Sequence, residues 1–300
     1  MQSAVAKALG YDESPNFVVA TELEGRPFLG HSHVYRKAHE ECGLQGVYLL
    51  KAPDRQDEVP VVFYCQADNE AAAREIHRRV WNQGIVPFIL VETPKALRLY
   101  SGFRCLPEAN TDQERGVLEA AVAFNEVADR LGAFRSDAID SGAVWDRWAN
   151  EVDPRSRVDW SLLAGLEALG KELRDRCHQL DRPHAHALIG KFVYLKYLRD
   201  RRILSDRKLA KWGLTESDLF GHAATMTAFW KVNDELEEWL NGSVFPLPRN
   251  AIRAEHVRLV ANVFMGGSGR QLSLNLGLYD FSFIPIETLS VIYQQFLHAP

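Results

Sequence analysis

The stretch between Pro183 and Arg202 constrains the fold of this 300-residue chain more than any other. From Ala187 to Leu195 it reads Ala-Leu-Ile-Gly-Lys-Phe-Val-Tyr-Leu, which leaves almost no polar side around a helix. A helix apolar on nearly every side must be covered by several neighbours at once, which calls for a helical domain. Pro183 suits the start of that helix, and Arg199-Asp-Arg-Arg202 places positive charge at its C-terminus. The covering helices are legible. Asp159 serves as a cap, followed by Leu162, Leu163, Leu166, Leu169 and Leu173 at three- and four-residue spacing. Further helices are expected over 216–240 and 251–264. Leu272, Leu274 and Leu276 alternate as in a strand, and Tyr279–Pro285 leads into a last helix with Ile286, Leu289, Tyr293 and Phe296 on one face. Those four anchors need a surface, either in the helical domain or in a further domain.

The first half follows another rhythm. Gly46–Leu50 and Val59–Cys65 read as strands separated by a polar turn at Ala52–Glu58. Asp68 or Asn69 then caps a helix that Gly84 stops, and strands over Val86–Val91 and Ala96–Tyr100 follow. The order β-β-α-β-β predicts a small mixed sheet with helical material over 104–150. The fold class is therefore α+β: a mixed β-sheet domain over 1–150, then an all-helical domain over 151–300. The polar break at Asn150–Arg157 separates them.

No apolar run approaches the roughly 20 residues of a membrane span. The N-terminus lacks a basic start followed by an apolar stretch, so no secretory signal is visible. Four scattered cysteines (Cys42, Cys65, Cys105, Cys177) form no CxxC pair, which fits a reducing cytoplasm. Charge is unevenly placed. Residues 1–150 carry 16 Lys+Arg against 22 Asp+Glu, whereas 174–211 carry 11 basic and 4 acidic side chains. Such a block either attracts a polyanion or forms a solvated helix face.

Catalytic motifs are sparse. His31-x-His33 with His39 and Cys42, and His184-x-His186, lack the spacing of a structural or helical metal site, so no metal is expected. Gly266-Gly-Ser-Gly269 precedes a strand and lacks the Lys-Ser/Thr of a phosphate loop. The sheet order also has a restriction-endonuclease-like layout, whose chemistry needs an acid on one strand and a Glu-x-Lys pair on the next. Strand 47–50 carries no acid, Asp54 and Asp57 lie in the following turn, and Gln66-Ala67-Asp68 has no lysine. No catalytic residue is assigned.

Three stretches carry a family resemblance: Ala185–Leu204, with its charged Leu-Arg-Asp-Arg-Arg-Ile-Leu tail; Leu240-Asn-Gly-Ser-Val-Phe-Pro246; and Tyr279–Leu297. Together they resemble the region preceding the catalytic domain of bacterial N6-adenine-specific DNA methyltransferases from restriction-modification and phage-defence systems. Trp81-Asn-Gln83, Pro87–Val91 and Thr93–Gly102 are similar, more weakly, to the N-terminal sheet domain of those enzymes. That family methylates through a glycine-bearing cofactor loop and an Asn-Pro-Pro-aromatic motif around the flipped adenine. Neither motif occurs here. The resemblance thus implies a non-catalytic, DNA-engaging and scaffolding role. S-adenosylmethionine is expected in a catalytic domain or partner subunit and not in this chain.

The implied partners are double-stranded DNA, a methyltransferase catalytic domain or subunit, and other defence-system proteins. Lys196, Arg199, Arg201, Arg202, Arg207, Lys208 and Lys211 are the expected phosphate contacts. Arg199–Arg202 have an alternative use in pairs with Asp200 and Asp206 and in capping. Asn82 and Gln83 carry amides able to read adenine, or else end a helix packed through Trp81. Two other functions stand beside the leading one: an endonuclease with an atypical site in the sheet domain, and a protein-interaction subunit without DNA contact.

Overall fold

The computed structural model describes residues 3–25, 32–51, 58–107, 109–175, 179–242, 245–266 and 275–298. The chain divides into two units, Met1–Val158 and Asp159–Pro300, with the polar stretch 150–157 at the end of the first. The first is an α+β unit on a six-stranded mixed sheet, and the second is helical.

In the first unit the strands are β1 (Phe17–Val19), β2 (Leu44–Lys51), β3 (Glu58–Gln66), β4 (Phe88–Glu92), β5 (Leu97–Ser101) and β6 (Val117–Val122). They lie side by side in chain order. The helices are α1 (Ala4–Ala8), α2 (Ser32–Cys42), α3 (Glu70–Gln83), α4 (Asp112–Arg115), α5 (Val127–Arg130), α6 (Ser136–Asp140) and α7 (Ala143–Trp148). All neighbouring strands are antiparallel except β3 and β4, which run parallel and are bridged by α3. A parallel pair cannot be joined by a tight turn, so the helix is required there. The Asn69 side chain accepts from Ala72 N at the start of α3, and Gly84 ends it at φ +66°. A Cβ at Gly84 would sit 2.8 Å from the Val158 side chain. Phe88, on β4, packs edge-on against Phe134 at 5.0 Å and at a tilt against Trp145 at 5.5 Å, within the core.

Two strands were not expected. β1 is three residues long, and β6 lies inside a stretch read as helical. Both are edge strands, and the Val-Leu-Glu-Ala-Ala-Val of β6 is too poor in β-branched residues to signal a strand. The polar turn, with Asp54 and Asp57, lies outside the described residues, as do His31 and Cys177.

Further helices make up the second unit: α8 (Val158–Asp175, starting at the division), α9 (Arg182–Asp200), α10 (Asp206–Lys211), α11 (Met226–Leu240), α12 (Ala254–Phe264) and α13 (Ile286–His298). No residue from His184 to Arg201 is exposed, so α9 is the covered helix that its composition demands. Phe192 stacks on Phe229 at 5.3 Å and on Phe264 at 5.9 Å. The helix expected over 216–240 is instead a single turn at Glu216–Asp218 followed by α11. Gly221 at φ +84° breaks it, and the Thr225 side chain caps the second part. Asp159 lies within the first turn of α8 and is not its cap. Leu276 is in a short 3-10 turn, while Leu272, Leu274 and most of the glycine cluster lie outside the described residues. Among the described residues no helix is long and apolar enough to cross a membrane.

His77 of α3 is 3% exposed, and its Nε2–H is shared between the carbonyls of Ser101 and Arg104, each at 2.9 Å. Burial outweighs those two bonds and pushes its pKa down to about 4. Between that value and the ordinary 6.5, the unfolded chain takes up a proton that the folded chain refuses. The stability present above pH 6.5 is therefore lost as pH falls toward 4. Urea unfolding should show about 2 kcal/mol of this loss between roughly pH 7 and 5. His77→Gln, which keeps an N–H donor, should flatten that slope. An equally steep slope in the variant would contradict the assignment.

Candidate nucleic-acid interface

The seven basic residues expected to hold phosphate belong to the end of α9, the turn after it, and α10. Leu198 and Leu204 anchor this turn in the core, and Leu204 N donates to Leu198 O at 3.0 Å. The charged side chains between them point in different directions for separate reasons.

Lys196 Nζ donates to Asp200 Oδ1 at 2.7 Å, one turn along the helix. The other carboxylate oxygen of Asp200 accepts from Phe281 N at 2.9 Å. Burial raises the Asp200 pKa above its ordinary value, and the nearby Lys196 ammonium works against that shift. Arg199 is only 9% exposed and reaches Leu204 O, Asp206 and Glu216, each at 2.6 Å. Burial opposes its charge, but the Glu216 and Asp206 carboxylates outweigh burial and raise its pKa. Arg201 donates to Ile284 O at 3.0 Å and lies over the Tyr197 ring at 4.9 Å. Lys196, Arg199 and Arg201 are thus withdrawn from the expected phosphate contacts. Their charges hold the 279–285 loop and the α9–α10 turn in place, because a buried charge must be paired.

The other four differ. Arg202 follows the end of α9 at φ +59°, and its side chain is exposed. Arg207 and Lys211 are exposed on α10. None of these three side chains has an ion pair or hydrogen bond among the described residues. Lys208 is committed to aromatic faces: its ammonium lies 4.1 Å from the Trp239 ring centre and 5.2 Å from that of Trp212. The two indoles meet edge-on at 6.1 Å, and Trp239 is 41% exposed. Neither tryptophan was singled out from sequence. Trp212 follows Lys208 by one helical turn and could have been; Trp239 comes from a distant helix.

The three stretches that carry the resemblance meet at one point. A Cβ on Gly190, in the first stretch, would lie 3.0 Å from the Phe245 ring of the second and 2.1 Å from Tyr293 Oη of the third. Phe245 and Tyr293 themselves pack at 4.9 Å. Any side chain at this position would have to displace Tyr293 or Phe245.

Elsewhere, the polar groups considered for chemistry are occupied structurally. Asn82 and Gln83 are buried, with their amides donating to Arg78 O and Val34 O, so neither can read a base. His39 bonds Leu44 O, His184 pairs with Asp181 at 2.6 Å, and His186 packs at a tilt against Phe296 at 4.4 Å. Cys42, Cys65 and Cys105 are buried thiols, and burial pushes Cys42 and Cys105 up to about 12. Glu92, at the end of β4, accepts from the Tyr64 and Ser3 hydroxyls. Asp68 stands exposed before α3. No cluster of three or more metal-ligating side chains occurs among the described residues.

No family model, curated protein or solved structure matches the chain.

Asp200→Ala should cost about 3 kcal/mol, because it strands a largely buried ammonium and a buried backbone N–H. Arg207→Ala should stay within about 0.5 kcal/mol, as a surface change does. Denaturant unfolding of both variants checks this. Equal effects would show that the Asp200 contacts do not hold the loop.

Proposed function

We propose that this chain is the non-catalytic DNA-engaging and scaffolding region of a restriction-modification or phage-defence protein of the N6-adenine DNA methyltransferase type. The resemblance over about 158–297 supports this reading. One observation carries it: within 202–211, Arg202, Arg207 and Lys211 are exposed without a described partner, and the nearby Asp206 carboxylate is already engaged by Arg199. Their positive charge is left for an external anion.

The duplex backbone fits that surface chemically. Each neutralised phosphate releases condensed counterions, which gives affinity with little dependence on base sequence. Trp239 and Trp212, with Lys208 across their faces, would form an apolar flank to the contact. Methyl transfer and S-adenosylmethionine binding would reside in a catalytic domain or partner subunit, to which the helical unit lends position on DNA.

Binding to duplex DNA should be weak, tolerant of sequence and steeply lost with salt. Arg207→Glu with Lys211→Glu should weaken it on every sequence and flatten the log K against log salt slope by about two units. Fluorescence anisotropy across a salt series measures both. If the folded double variant binds as the parent does, or the parent does not bind at low salt, the reading fails and a protein-interaction subunit replaces it.

A second experiment addresses catalysis. Incubated alone with S-adenosylmethionine and adenine-containing duplex, the chain should transfer no methyl group and show no saturable cofactor binding by calorimetry. Turnover dependent on this chain would overturn the non-catalytic assignment.

A further inference from the structure

A second basic site lies away from α10. α8 and α9 together line a recess of about 400 Å³ in the helical unit. Lys171 and Arg174 come from α8, Arg182 and His186 from α9, and Phe296 from α13. Glu167 lines the same recess, yet no carboxylate among the described residues pairs with Lys171, Arg174 or Arg182. Among the described residues, Arg174 Nε donates to Gly170 O, at 3.1 Å. His186 is 9% exposed and packs at a tilt against Phe296, itself 1% exposed.

The contrast with the end of α9 is informative. There Lys196 and Arg199 each have a carboxylate partner. In the recess, three basic side chains and one acid, Glu167, line one concave surface, and none of the four is in an ion pair among the described residues. Burial, and then the Arg182 and Arg174 charges, lower the pKa of His186, which places both guanidiniums within electrostatic reach of its ring. Like charges gathered in a concave site repel one another until an anion enters, and the low-dielectric walls strengthen the attraction when it does.

We infer that this recess binds a phosphate monoester of mononucleotide size, with Lys171, Arg174 and Arg182 around the phosphate. Guanidinium groups suit the choice, because their planar donors match phosphate oxygens in pairs. The volume, at the lower end of ligand pockets, leaves space for an organic portion beyond the phosphate. The site is independent of the DNA proposal, since it shares no residue with Arg202, Arg207 and Lys211.

Calorimetry on the full chain tests it, with adenosine 5′-monophosphate, adenosine, inorganic phosphate and a short DNA duplex as separate titrants. The nucleotide should bind saturably with Kd tighter than about 1 mM. It should bind at least tenfold more tightly than adenosine or inorganic phosphate. Lys171→Glu, an exposed position where folding is not at stake, and Arg182→Gln should each weaken nucleotide binding at least fivefold. Arg207→Glu with Lys211→Glu should leave it unchanged. No saturable nucleotide binding would overturn the inference, as would inorganic phosphate or adenosine binding equally well. Duplex that displaces the nucleotide, and whose own binding weakens in Lys171→Glu, would overturn it too and make the recess part of the DNA surface.

Discussion

A carboxylate, an ammonium and a backbone N–H meet at Asp200, and the order of the helical unit depends on that junction. Asp200 sits on the last turn of α9, a helix with no exposed residue from His184 to Arg201. A helix so enclosed must end abruptly, and its terminal charges must be used up within the protein. Asp200 meets both needs by taking Lys196 Nζ on one oxygen and Phe281 N on the other. Arg201 repeats the link by holding Ile284 O. The aromatic loop beginning at Tyr279 is thereby fastened to the end of the central helix, and Phe281 and Ile284 become fully buried.

This arrangement changes how the charged tail of α9 is to be read. In sequence it is one basic block. In space it divides into cations spent on internal acceptors and cations left outside. Arg199, the best paired, neutralises Asp206 and so raises the net positive charge that α10 presents. The internal pairs thus shape the external field as well as the fold. The meeting of Gly190, Phe245 and Tyr293 fits the same picture. The stretches that carry the family resemblance are packing devices, and the surface proposed to meet DNA sits beside them.

Much of the architecture was legible because its signals are local. Runs such as Val59–Cys65 alternate or cluster within a few residues, and Asn69 and Gly84 bracket α3 by side-chain capping and a left-handed turn. β1 and β6 escaped notice because an edge strand needs little intrinsic preference of its own. The fate of the charges was only partly legible. The pairing of Arg199 with Asp206 spans seven positions and could be weighed from sequence. The donor to Asp200 and the acceptor of Arg201 lie 81 and 83 positions away, a distance at which spacing says nothing. Trp239 was hidden for the same reason, and so was the recess, whose cations lie on two separate helices.

The division of the basic block into internal and external cations is the claim on which the functional reading rests, and lysine footprinting addresses it directly. The folded chain would be treated with an amine-reactive acylating reagent, with and without duplex DNA at low salt, and the modified positions read by mass spectrometry. Lys196 should react slowly in both conditions, because Asp200 and burial shield it. Lys211 should react quickly in the free protein and become protected when duplex is added. Rapid modification of Lys196 that DNA suppresses, or a Lys211 whose reactivity DNA leaves unchanged, would contradict the account.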